Sequence, residues 1–81
     1  MGINGRGGEM AAIKFEIEEK LGVISERKGW TKEMNMVSWN NRKAKADIRE
    51  WDETHEKMGK GITLSLEELV ELKKILNNMD I

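Results

Sequence analysis

An α+β fold, four strands followed by one C-terminal amphipathic helix, is predicted by three features of the 81-residue chain. Apolar side chains recur at alternate positions from Ile13 to Val23 and again from Ala44 to Ile48, the period of strands with two unlike faces. A basic glycine turn and an asparagine pair punctuate the stretch between them. From Ser65 onward the period becomes helical, so helical cover exists for one face of the sheet only.

Residues 1–12 are expected to be a flexible Gly-rich arm, because Gly2, Gly5, Gly7 and Gly8 and very few apolar side chains cannot offset the entropy of ordering. A single domain follows over residues 13–79, with residues 80–81 as a tail. In the first strand Ile13, Phe15, Ile17, Leu21 and Val23 form one face, expected to be buried. Lys14, Glu16, Glu18, Lys20 and Gly22 form the other. The strand is read as one long element bent near Gly22, a tight turn at Lys20-Leu21 being the alternative. It ends at the turn Arg27-Lys28-Gly29.

Residues 30–39 form the second strand. Val37 and Trp39 share one parity and Trp30, Lys32 and Met34 the other, so either the strand is apolar on both sides or a bulge shifts its phase near Asn35. Asn40-Asn41-Arg42-Lys43 is a turn, since Asn tolerates the positive φ such turns require. The third strand, residues 44–51, sets Ala44, Ala46 and Ile48 against Lys45, Asp47, Arg49 and Trp51. A polar loop, Asp52 to Lys60, leads into a short strand, Ile62-Thr63-Leu64. Ser65 and Glu68 make a capping box, and Leu69, Leu72, Leu76 and Met79 continue as one apolar stripe, with Leu66 and Val70 on its flank.

A chain of this length holds one core, and below about 70–80 residues a disulfide, a metal or a partner is usually needed. With no cysteine and a single histidine, the first two are not available, and a homodimer is the expected remedy. No apolar run reaches the roughly 18 residues that cross a bilayer. The N-terminus resembles neither a signal nor a transit peptide, so a cytoplasmic location is expected, with nucleoid association compatible.

Catalytic chemistry is not indicated. His55 is the only imidazole and lies in a charged loop, where a solvated side chain is expected; no metal or cofactor site and no small-molecule substrate is predicted. The segment Lys57 to Thr63 lacks the Walker spacing, although Gly59, Lys60 and Gly61 could present N–H groups and an ammonium to a phosphate, or simply form the turn into the last strand. The formal charge is -1. Its distribution is uneven, for Arg27, Lys28, Lys32, Arg42, Lys43, Lys45 and Arg49 face only Glu33 and Asp47 between positions 27 and 49. Trp39 is expected to pack in the core. Trp51, sharing a strand face with Lys45 and Arg49, has the pattern of a base-stacking platform between phosphate-binding cations, and Trp30 beside Lys32 suits either role.

Four segments in order, Gly29 to Glu33, Asn35 to Asn40, Asp47 to Trp51 and His55 to Ser65, resemble the Positive Cofactor Four family of transcriptional coactivators, in particular its small bacterial members of YdbC type. The resemblance extends from about Ile13 to Leu76. It implies a four-stranded antiparallel curved sheet followed by one helix, a homodimer joined through helices and sheet edges, and sequence-tolerant binding of single-stranded DNA. On that resemblance Arg49 is the strand arginine of the DNA-facing surface and Trp51 the aromatic two positions on. Lys60 matches the lysine before the last Gly-Ile pair, and Trp30, Lys32 and Lys45 fall on bacterial motif positions. Lys57 joins the same loop, while Arg42 and Lys43 are placed at the surface by the turn alone. The hairpin after Trp39 is shorter than the eukaryotic one, Leu69 replaces a helix tryptophan, and no Ser-rich acidic region precedes the domain, so a coactivator role is not implied. The expected protein is a non-enzymatic single-stranded DNA binder, possible roles being transcription regulation, replication, recombination or repair. A single-stranded RNA binder and a protein-interaction module are the alternatives.

Overall fold

The computed structural model describes residues 13–81; the predicted arm at 1–12 lies outside the described residues. Strand β1 spans Phe15–Arg27, β2 Trp30–Trp39, β3 Lys45–Trp51 and β4 Met58–Leu64, and helix α1 spans Leu66–Asn77. The strands form one antiparallel sheet in the order β1-β2-β3-β4. The predicted element order therefore holds, except that β4 begins at Met58 and takes Gly59 and Gly61 into the strand.

The β1–β2 hairpin and the turn that opens the longer β2–β3 connection each use two central residues with positive φ, a geometry whose twist matches that of flanking strands. At the β1–β2 turn these are Lys28 (φ 52°) and Gly29 (φ 82°), and at the β2–β3 turn Asn40 (φ 53°) and Asn41 (φ 64°). Asparagine adopts this conformation readily, and the second turn closes with Arg42 N–H donating to the Trp39 carbonyl at 3.0 Å.

β1 is one strand, as the sequence predicts, but not a regular one. Its register against β2 shifts between Ile17 and Glu19, between Lys20 and Gly22, and between Val23 and Ser25. Each shift inserts one extra residue on β1, at Glu18, Leu21 and Ile24. β2 pairs with β3 without interruption from Thr31 to Val37, so the expected phase shift belongs to β1 rather than to Asn35. Bulges bend a strand and increase its twist, and three of them lengthen β1 relative to its neighbour, which curls the sheet.

The curl can be measured from packing. Phe15 lies opposite Trp39 at one end of β2, and Trp51 lies opposite Thr31 at the other. On a flat strand those eight positions would span about 26 Å. The Phe15 and Trp51 rings nevertheless meet with centroids 5.1 Å apart.

The two faces of the sheet differ accordingly. The concave face carries Thr31, Glu33, Asn35, Val37 and Trp39 from β2 and Asp47, Arg49 and Trp51 from β3, and it contains the fully buried Trp51, Val37, Asn35 and Asp47. The other face carries Met34, Ile48 and Ile62 and receives the helix through Leu69 and Leu72. The expected buried face of β1 does not form: Phe15 and Ile17 are half-buried, Ile13 is exposed, and so are Leu21, Val23 and Ile24, where the bulges break the alternation. The capping box is present, with Ser65 N–H donating to Glu68 Oε1 at 2.8 Å and Glu68 N–H to Ser65 Oγ at 3.1 Å.

No helix residue is buried. Leu66, Val70, Ile75 and Leu76 are exposed, and an apolar groove of about 570 Å³ opens between α1 and the bulged part of β1, lined by Leu21, Ile24, Met34, Ile48, Leu72 and Leu76. No helix among the described residues is long and apolar enough to cross a membrane.

Candidate nucleic-acid interface

The concave face is built around two buried carboxylates. Asp47, from β3, is wholly inaccessible, yet both of its oxygens are satisfied. Arg49 donates to them from Nε at 2.7 Å and Nη2 at 2.9 Å, and Thr63 Oγ1 from the neighbouring β4 donates at 2.8 Å. A bidentate guanidinium is the partner such a charge requires. Arg49 also donates from Nη1 to the Gly59 carbonyl at 3.3 Å and lies 4.8 Å above the Trp39 ring. Its side chain is only 14% exposed. Gly61 makes this approach possible, because a Cβ there would overlap the Arg49 Cβ and the Ile48 carbonyl and sit 2.8 Å from the Arg49 Cα.

Glu33, 5% exposed, is the second carboxylate. Thr31 Oγ1, Asn35 Nδ2 at 3.1 Å and His55 Nε2 at 2.8 Å all approach it. Burial opposes its ionisation most strongly, but the hydrogen bonds from Thr31, Asn35 and His55 and the positive charge available on His55 together outweigh that, so its pKa lies below the ordinary value of 4.5. His55 is therefore not the solvated loop residue expected: half-buried, it stacks on Trp51 with planes inclined by 22°.

The loop that delivers His55 is organised by Asp52. Its Oδ1 accepts from the Glu56 and Lys57 N–H groups at 3.1 and 3.0 Å, and its Oδ2 from Thr54 Oγ1 at 3.0 Å. The Lys57 N–H contact is the largest influence on this carboxyl, and with Thr54 and the other loop N–H groups it lowers the Asp52 pKa below 3.8 against the opposing effect of desolvation. The result places His55 at φ 59° over the indole.

Trp51 requires a correction. Strand parity predicts a stacking platform, but the side chain is 0% exposed, packed between Phe15 and His55. The curl of the sheet turns its strand face inward. Arg49 likewise does not offer its charge to solvent, since Asp47 takes it. Asn35 Oδ1 and the indole N–H groups of Trp39 and Trp51 are buried without a partner among the described residues.

Of the remaining predicted cations, Lys45 is placed on this face by its pairing with Val37, and Lys32 is not on it. Arg42, Lys43 and Lys45 are exposed at the β2–β3 hairpin, and Lys57 and Lys60 are exposed at the loop and at the β4 bulge opposite Arg49 and Trp51. Trp39 is half-buried, beside Phe15 at 6.0 Å. Trp30 and Lys32 have the opposite parity and belong to the helix-bearing face, Lys32 opposite Glu50. Half-buried Trp30 lines a separate concavity of about 310 Å³ with Arg27, Lys28, Glu50 and Gly59. The roles of Glu33 and His55 left no mark in the sequence, because their contact joins residues 22 positions apart. Among the described residues no three His, Asp or Glu side chains converge as a metal site would need.

Comparison with known proteins adds two findings. The family described as Transcriptional Coactivator p15 (PC4) matches residues 27–75. An uncharacterized protein of Treponema pallidum (strain Nichols) is 41% identical over 68 residues, covering 83% of this chain and 80% of that protein.

Proposed function

Because the chain belongs to the family of the transcriptional coactivator p15, PC4, we propose that it binds single-stranded DNA with little sequence preference, as a homodimer and without catalysing a reaction. The observation that carries this reading is electrostatic. The two carboxylates of the concave face are buried and internally paired, whereas Arg42, Lys43, Lys45, Lys57 and Lys60 are exposed. Exposed cations beside carboxylates that are already paired suit a polyanion despite the formal charge of -1. Contacts to phosphates carry no sequence information, in keeping with a sequence-tolerant binder. Trp39, at the opening of the face, is the aromatic best placed to meet a base.

The homodimer is supported by the uncovered helix. An amphipathic α1 with no buried residue, beside an apolar groove containing Leu21 and Ile24, needs a partner, and a second copy of the same helix offers a complementary stripe.

The test is fluorescence anisotropy of a labelled dT20 strand, its duplex and the matching RNA across a salt series. Affinity for the single strand should fall by about 0.7 log units per log unit of salt for each phosphate neutralised. Lys45→Ala should reduce that slope by about one such increment. Equal preference for RNA would favour the RNA-binding alternative. Absence of binding at low salt would overturn the reading and favour a protein-interaction module.

A further inference from the structure

The concavity around Trp30 lies on the face opposite the two buried carboxylates, at the end of the sheet where the β1–β2 turn meets β4. Its volume is at the lower end of the range for small-ligand sites, room for one aromatic ring system rather than for a run of nucleotides. Half-buried Trp30 supplies a stacking surface. Exposed Arg27 and Lys28 supply cations at the rim. Lys28 occupies a positive-φ turn position where Asn or Gly is the ordinary choice, so its ammonium is held there at some backbone expense.

Glu50 is the one acidic side chain lining the concavity. Its carboxylate lies along β4, where a Cβ on Gly59 would stand 3.3 Å from both Glu50 Cβ and Oε1. Among the described residues no hydrogen bond or ion pair takes up this group, although Lys32 is its cross-strand neighbour. A carboxylate accepts hydrogen bonds only. Of the DNA bases, guanine alone offers two parallel donors, N1–H and the 2-amino group, matching two carboxylate oxygens. Thymine flanks its single N–H with carbonyls that a carboxylate repels.

We propose that this concavity takes one guanine of a bound DNA strand, stacked on Trp30 and read by Glu50, with flanking phosphates held by Arg27 and Lys28. The proposal rests on the single-strand binding put forward above and adds a base preference that the exposed cations lack. It makes binding sequence-tolerant along the strand but biased toward strands with an accessible guanine.

The experiment compares dT12 with the same strand carrying one internal dG, deoxyinosine, dA or dC. The dG strand should bind about fivefold more tightly, the low end of what a bidentate base contact gives. Deoxyinosine, which lacks the 2-amino group, should lose most of that gain, and dA and dC should show little of it. Glu50→Gln should abolish the preference while affinity for dT12 stays the same or rises, since a negative charge is removed. Trp30→Phe should retain part of the preference and Trp30→Ala none, with circular dichroism confirming the fold of each variant. Binding of dT12 without a dG preference, or a preference that survives both Glu50→Gln and Trp30→Ala, would overturn the proposal alone. Failure of every strand to bind would overturn the single-strand reading and the proposal with it.

Discussion

His55 lies on Trp51 with ring centroids 5.7 Å apart while its Nε2 contacts the Glu33 carboxylate at 2.8 Å. One side chain from the β3–β4 loop thus closes the buried end of the concave face and ties β2 to β3.

This arrangement predicts acid sensitivity. The folded pKa of Glu33 is depressed, so the folded protein holds that proton less tightly than the unfolded chain does. Its stabilising contribution is complete above the ordinary glutamate value and is lost as the pH falls through the lower, folded value. Urea midpoints measured from pH 7 to pH 3 should decline below about pH 4.5. Glu33→Gln should flatten that part of the decline and lower stability at pH 7 by about 1.5–3 kcal/mol.

Trp51 should behave as a core residue. Trp51→Ala is expected to destabilise the fold by about 3–5 kcal/mol, seen as loss of cooperative thermal unfolding. A folded Trp51→Ala protein with weakened DNA binding alone would instead restore the stacking role expected from strand parity.

Arg49 and Asp47 should prove strongly coupled. Arg49→Ala leaves a buried carboxylate without its partner and should cost about 3–5 kcal/mol. Arg49→Met combined with Asp47→Asn should recover much of that loss in chemical denaturation, because the uncompensated charge is gone. A double variant as unstable as the sum of the single ones would refute the coupling.

The exposed helix stripe should set the oligomeric state. Light scattering is expected to report twice the chain mass for the native sequence, and Leu76→Asp, which puts a charge on the apolar groove, should shift the protein toward monomer. A native monomer at micromolar concentration would refute the dimer.

Strand count, helix and turns were legible in the sequence because each depends on local chemistry. The Ser65–Glu68 box starts α1, the Asn40-Asn41 pair accepts positive φ, and the period changes after Leu64. Membership of the family was legible too, since its motifs are contiguous. What the parity of β3 could not reveal was which of its faces would be enclosed. Lys45, Asp47, Arg49 and Trp51 alternate as an outward polar face would, yet two of them are fully buried.

That outcome belongs to the tertiary structure. Three bulges in β1 curl the sheet until Phe15, from one end, covers Trp51 at the other, and no local pattern encodes a contact between such distant positions. Local sequence dictates the elements, their order and the excess of cations between Arg27 and Arg49. The fold decided which cations remain available: Arg49 is taken by Asp47, while Lys45 and its neighbours at the hairpin stay in solvent. The physical reason is that element formation follows from propensities and spacing along the chain, whereas exposure depends on the curvature of the whole sheet.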